Sequence, residues 1–128
     1  IMLFHGGADR GFSPPVKTKP KRMRRVALRF PEAKIVVAHL GGQDMQAEAV
    51  QELADTNVFI DTSFSAVSVE PAVAEQSVRA FGADRVLFGT DCPWDTPANT
   101  VAFLSKMGFS PAEYDKIYYK NALRLLGE

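Results

Sequence analysis

The chain of 128 residues holds only two histidines, His5 and His39. Each closes a short apolar run, "IMLF" before His5 and "KIVVAH" ending at His39, and each is followed at once or one residue later by a pair of glycines. Two aspartates stand in the same relation to two further runs, Asp61 closing "NVFID" and Asp91 closing "RVLFGTD". Two imidazoles and a carboxylate from His5, His39 and Asp91 form a donor set suited to zinc or a similar divalent ion with positions left for water. A water on such an ion has its pKa lowered to about 7 and can attack a carbonyl carbon. Asp91 would serve there as a ligand or a proton acceptor.

For these residues to act together, the elements that carry them must bring their ends to one place. Each of the four runs is continuously apolar rather than alternating, the pattern of strands covered on both faces in a parallel sheet. The stretches between them are each long enough for a crossover helix, and the helices carry their own punctuation. Pro20 opens the first, with Met23, Val26, Ala27 and Phe30 at helical spacing and Pro31 as its stop. Asp44 is placed to cap the second, whose buried side is Ala49, Val50 and Leu53. Pro71 and Gly82 bracket the third. Thr96 and Pro97 begin a fourth that Gly108 stops, and Ser110 with Glu113 forms a capping box at the head of the last. Strand and helix in alternation predict an α/β fold as one domain over residues 1–128. Because parallel strands share one direction, their C-terminal ends form one face, the face on which barrel enzymes keep their active sites.

Further candidates for that face come from the loops. Asp9 and Arg10, after the first run, are placed to read a carboxylate or other polar substrate group, or else to be solvated loop residues. Asp61 and Ser63 of "DTS" would line the pocket, or hold neighbouring loops by hydrogen bonds. Trp94 offers an aromatic wall for substrate or a cover for the rim. Cys92 has no base that the sequence requires beside it and is read as a small, partly buried thiol rather than a nucleophile. In "KTKPKRMRR" the apolar positions fix an inner helix face and leave the charges outward, so the run is read as solvated surface and not as a nucleic-acid patch.

Composition agrees with this and excludes other classes. Hydrophobic residues make up 46% of the chain, and 15 basic residues balance 15 acidic ones. That balance gives no reason to expect nucleic acid or an anionic membrane surface as partner. No apolar run approaches the roughly 18 residues of a membrane span, and a lone cysteine suits a reducing compartment. The expectation is a soluble, cytoplasmic protein with a small-molecule substrate.

Taken in order, "HGGADRGFSPP", "RFPEAKIVVAHLGG", "NVFIDTSFS", "ADRVLFGTDCPW" and "YKNALRLLG" resemble the second half of the amidohydrolase-related metal-dependent hydrolases of TIM-barrel fold. The resemblance implies that the four runs are strands five to eight of a (β/α)8 barrel. It implies that His5 is the fifth-strand metal ligand, that His39 is an acid/base or a ligand to a second metal, and that Asp91 touches metal and handles a proton. The expected cofactor is a divalent metal, zinc first. The expected reaction is hydrolysis of a C–N or C–O bond in a small carbonyl compound, with non-oxidative decarboxylation, or a half-barrel without catalysis, as alternatives. One departure stands out, since such enzymes carry a His-x-His pair on the first strand and no such pair occurs here. The chain is therefore expected to be completed by an N-terminal half, or by a second copy in a homodimer that closes the barrel.

Overall fold

The structure is a computed structural model that describes all residues 1–128. Four short parallel strands form one sheet in sequential order: β1 (Met2–Phe4), β2 (Ile35–Val37), β3 (Phe59–Asp61) and β4 (Val86–Leu87). The register pairs Leu3 with Val36, Val36 with Phe59, and Ile60 with Val86. Each crossover contains helix: α1 (Pro20–Arg29) between β1 and β2, α2 (Gln46–Leu53) between β2 and β3, and α3 (Ser65–Ser68) with α4 (Pro71–Phe81) between β3 and β4. After β4 come α5 (Pro97–Leu104), α6 (Pro111–Asp115), a π turn over Lys116–Lys120, and α7 (Asn121–Leu126). Sequential parallel order with helices in every crossover is the arrangement of successive (β/α) units in a barrel wall.

The core lies between the sheet and the helices. Ile35, Val37, Ile60 and Val86 from the strands are fully buried against Met23 and Ala27 of α1, Leu53 of α2, and Val78 and Phe81 of α4. Burying side chains of this size is the main favourable term, at about 1.5–3 kcal/mol each. The sheet is not covered throughout, however. β1 is an outer strand whose Met2 and Leu3 are exposed, and Leu28 of α1 and Phe30 just after it are exposed too. Phe30 thus departs from the inward position its spacing predicts, because α1 ends at Arg29 and its capping residue Phe30 leaves helical geometry.

Most helix boundaries follow the local signals. Pro20, Pro71, Pro97 and Pro111 each occupy a first-turn position. Thr96 accepts from the Asn99 amide, and the Ser110–Glu113 capping box is formed in both directions. Asp44 is an exception. The second helix starts after Met45 with no side-chain cap, because the Asp44 carboxylate is held by Arg10 instead. Likewise α5 ends at Leu104 and not at Gly108.

Candidate functional site

All the elements that carry candidate residues open onto the same end of the sheet. His5 directly follows β1. His39 lies two residues past β2 in a left-handed conformation with φ of 60°, and Asp91 lies in the loop after β4 with φ of 65°. Left-handed backbone is uncommon outside glycine and costs about 1–3 kcal/mol. Five non-glycine residues adopt it, His39, Leu40, Asp44, Phe64 and Asp91, and three of those line one cleft. That cleft, of about 560 Å³, is walled by His5, Asp9, Arg10, Phe12, His39, Gln43, Phe64, Asp91 and Trp94, with Gly11. Backbone strain concentrated around a cleft is how a fold aims side chains that packing alone would turn away.

The two imidazoles meet inside the cleft. His39 Nε2 lies 3.1 Å from His5 Nδ1, and the rings pack edge to face with centroids 4.7 Å apart. His5 is anchored from behind, its Nε2 donating to the Ala8 carbonyl at 3.0 Å, which leaves Nδ1 as the lone-pair nitrogen facing His39. Gly6 and Gly7, directly after His5, make this approach possible. A Cβ on Gly6 would lie 2.5 Å from the Ala38 carbonyl oxygen, and Gly7 has φ of 77° against the backbone of Gln43. Without side chains there, Gln43 donates to Gly6 and Ala8 donates to Gln43, at 2.8 and 2.9 Å, and the two loops lie flush.

The remaining candidates fall into three groups. Asp91 lines the same cleft but is exposed, and no group of three or more His, Cys, Asp or Glu side chains is drawn together closely enough to hold a metal. Thus His5 and His39 meet, whereas Asp91 stands apart on the wall. Asp61 and Ser63 lie behind His39 rather than on the cleft wall. The His39 and Ser63 amides each donate to Asp61 Oδ1 at 3.0 Å, Ser63 Oγ donates to the same oxygen, and His39 Nδ1 rests against the Ser63 carbonyl and hydroxyl at 3.1 and 3.0 Å. At the mouth, Asp9 accepts from the Gly11 amide at 2.9 Å. Arg10 grips Asp44 through two nitrogens at 2.8 and 3.1 Å. Those hydrogen bonds, and then the guanidinium charge, hold the Asp44 carboxyl below the usual carboxylate range.

Three aromatic side chains flank the cleft: Trp94 and Phe12, both highly exposed, and Phe64, whose ring lies 6.0 Å beneath the Arg10 guanidinium. Phe12, Phe64 and Gln43 were not among the candidates read from the sequence. The signal was present for Phe64, next after the "DTS" that starts at the last residue of β3, while Phe12 looked like an ordinary loop residue. Cys92 is exposed rather than partly buried. The basic run is surface, with Arg24 paired to Asp55.

Comparison with known proteins agrees with this architecture. An amidohydrolase family model matches residues 18–127. The chain belongs to the amidohydrolase family. Solved structures of similar fold include an uncharacterised TIM-barrel protein from Bordetella bronchiseptica, 25% identical, with a TM-score of 0.71 over 98% of this chain and 44% of that one. Another is an amidohydrolase from Burkholderia multivorans with bound zinc, 19% identical, TM-score 0.69, covering 84% of this chain and 49% of that one. A third is a dihydroxybenzoic acid decarboxylase from a Polaromonas species with bound manganese and the inhibitor 2-nitroresorcinol, 20% identical, TM-score 0.67, covering 84% of this chain and 38% of that one. The chain therefore spans half or less of the length of these structures. No curated protein matches it. Placed on these TIM barrels, the amidohydrolase sheet described above is one side of a barrel wall, and its cleft is at the barrel's C-terminal mouth.

Proposed function

We propose that this chain supplies one half of the active site of a metal-dependent amidohydrolase that cleaves a C–N or C–O bond in a small carbonyl compound. The observation that carries the reading is the facing pair of imidazole nitrogens, His5 Nδ1 and His39 Nε2, 3.1 Å apart at the base of the cleft. Two nitrogens that share one divalent ion, each about 2.0–2.1 Å from it, lie about 3.0–3.4 Å from one another. His5 also has the outer hydrogen bond to a backbone carbonyl that metal-binding histidines usually make. The donor set present therefore fits a divalent metal, zinc by ligand chemistry or manganese, as two of its ligands.

A bound metal would supply a water acidic enough to act as a nucleophile near neutral pH. The chain's own residues supply the rest. His5 and His39 would hold the ion, and Asp91, which lines the same cleft, is the group placed to take a proton from a nucleophilic water and return it to a leaving group. Arg10 and the aromatic side chains of Phe12, Phe64 and Trp94 orient the substrate, with Asp9 at the mouth. The remaining ligands come from a complementary set of (β/α) units, either a preceding half or a second copy of this chain, meeting the open edges of β1 and β4.

A second reading is a non-oxidative decarboxylase. A cation above an aromatic face, in a cleft also lined by two exposed aromatic side chains, suits a flat, carboxylated ring, and the fold is shared with a decarboxylase.

The test is turnover in zinc or manganese of two panels, small lactones and amides against carboxylated phenols, by the assembled barrel, in which this chain pairs with a preceding half or with a second copy, and by the same assembly carrying His5→Ala or His39→Ala. Removing an acid–base group or ligand is expected to lower turnover by about 10²–10⁴-fold. Turnover unaffected in both His5→Ala and His39→Ala would sink the proposal, and activity on the second panel alone would select decarboxylation.

A further inference from the structure

We infer that Asp61 and Ser63 are positioning residues that hold the His39 proton on Nδ1, so that Nε2 presents a bare lone pair to the cleft. Asp61 is 8% exposed, Ser63 6% and His39 7%, and no basic side chain pairs with the Asp61 carboxylate. What satisfies that carboxylate is three donors on Oδ1, the backbone amides of His39 and Ser63 and the Ser63 hydroxyl. A buried carboxylate accepts only, so the Ser63 hydroxyl proton is committed to it.

The consequence passes to His39. With its proton given to Asp61, Ser63 Oγ can only accept from the ring, as can the Ser63 carbonyl on the other side of the same nitrogen. Two acceptors around Nδ1, at 3.1 and 3.0 Å, require that nitrogen to carry the hydrogen of the neutral imidazole. His39 Nε2 is then unprotonated, and so is His5 Nδ1, because His5 Nε2 donates to Ala8. Two lone pairs thus face one another at 3.1 Å, an arrangement that attracts a cation.

The alternative network shows what Asp61 prevents. If the Ser63 hydroxyl were free, it could turn and donate to His39 Nδ1. The ring hydrogen would then move to Nε2 and donate to His5 Nδ1, only the Ser63 carbonyl would lose its donor, and the histidine pair would close on itself. Asp61 therefore selects the open form of the pair over the closed one. Its role in catalysis rests on the function proposed above, whereas the position of the hydrogen does not, so the two can fail separately.

The experiment is a two-bond proton–nitrogen correlation spectrum of the metal-free, 15N-histidine-labelled chain, at a pH high enough that both rings are neutral. Only two histidines contribute, and His5→Ala assigns them. The expected wild-type spectrum shows opposite tautomers, with His39 protonated on Nδ1 and His5 on Nε2. In Asp61→Ala the His39 ring nitrogens are expected to exchange their protonated and bare resonances. In Asp61→Asn, whose amide oxygen can still accept all three donors, the wild-type pattern is expected to return. A wild-type His39 protonated on Nε2 overturns the inference, as does an Nδ1 hydrogen that survives Asp61→Ala. If that variant does not fold, the wild-type spectrum decides alone. Uptake of zinc by the same samples reports on the proposed function separately.

Discussion

At the level of single residues, the site depends on backbone positions that few side chains tolerate. His39, Phe64 and Asp91 line the cleft from left-handed conformations, and the histidine loops touch only because Gly6 and Gly7 have no Cβ. Replacing Gly6 by alanine would push a methyl group to 2.5 Å from the Ala38 carbonyl oxygen, next to the segment that positions His39. The expected outcome is a loss of about 1–3 kcal/mol, the range for overpacking, read from urea unfolding. The His39 ring resonances should also shift, and their constancy would show that the loops adjust independently. The placement of His5 and His39 in one cleft was legible in the sequence because each ends an apolar run, whereas the position of Asp61 and Ser63 behind His39 was not. "DTS" reads equally well as pocket wall or as loop support, and only the three donors on one buried oxygen decide between them.

At the level of elements, the helices were legible where their signals are local. Proline at the first turn, Thr96 and the Ser110–Glu113 box act within four residues of themselves, so the sequence displays them. Features set by distant partners were hidden. Asp44 reads as a cap but is drawn away by Arg10, far behind it in the chain, and the final helix reads as one run but contains a π turn. The residue after that turn, Asn121, is 1% exposed and donates to the carbonyls of Ala83 and Val86 at 2.6 and 2.8 Å, tying the last helix to the entrance of β4. Asn121→Ala leaves those carbonyls without their donor, and a cost of about 1–3 kcal/mol is expected in thermal or urea unfolding. A neutral effect would show that the tie is dispensable. The same helical segment gives the fold an alkaline limit. Burial raises the pKa of Tyr114 and Tyr118, so folding favours their neutral form. That contribution is whole below the unfolded value of about 10 and is lost as pH rises through the folded one.

At the level of the molecule, the amidohydrolase fold accounts for what is exposed as well as for what is buried. At the β1 edge, Leu3, Leu28 of α1 and Phe30 just after it are apolar and exposed, and the matched TIM-barrel protein is more than twice as long as this chain. The parallel order of the strands was readable from four continuous apolar runs, and open edges were expected from a resemblance that covers only half a barrel, but which side chains stay exposed was not, since Leu28 and Phe30 look no different in the sequence from buried apolar neighbours. In the cleft, likewise, two imidazoles meet and no third His, Cys, Asp or Glu side chain joins them. The central claim is that these two nitrogens hold one metal ion between them. Zinc-edge X-ray absorption of the zinc-loaded protein tests it most directly. The account expects a shell containing two imidazole nitrogens at about 2.0–2.1 Å, reduced to one in either His5→Ala or His39→Ala. A zinc shell without imidazole, or one that both substitutions leave unchanged, would contradict it.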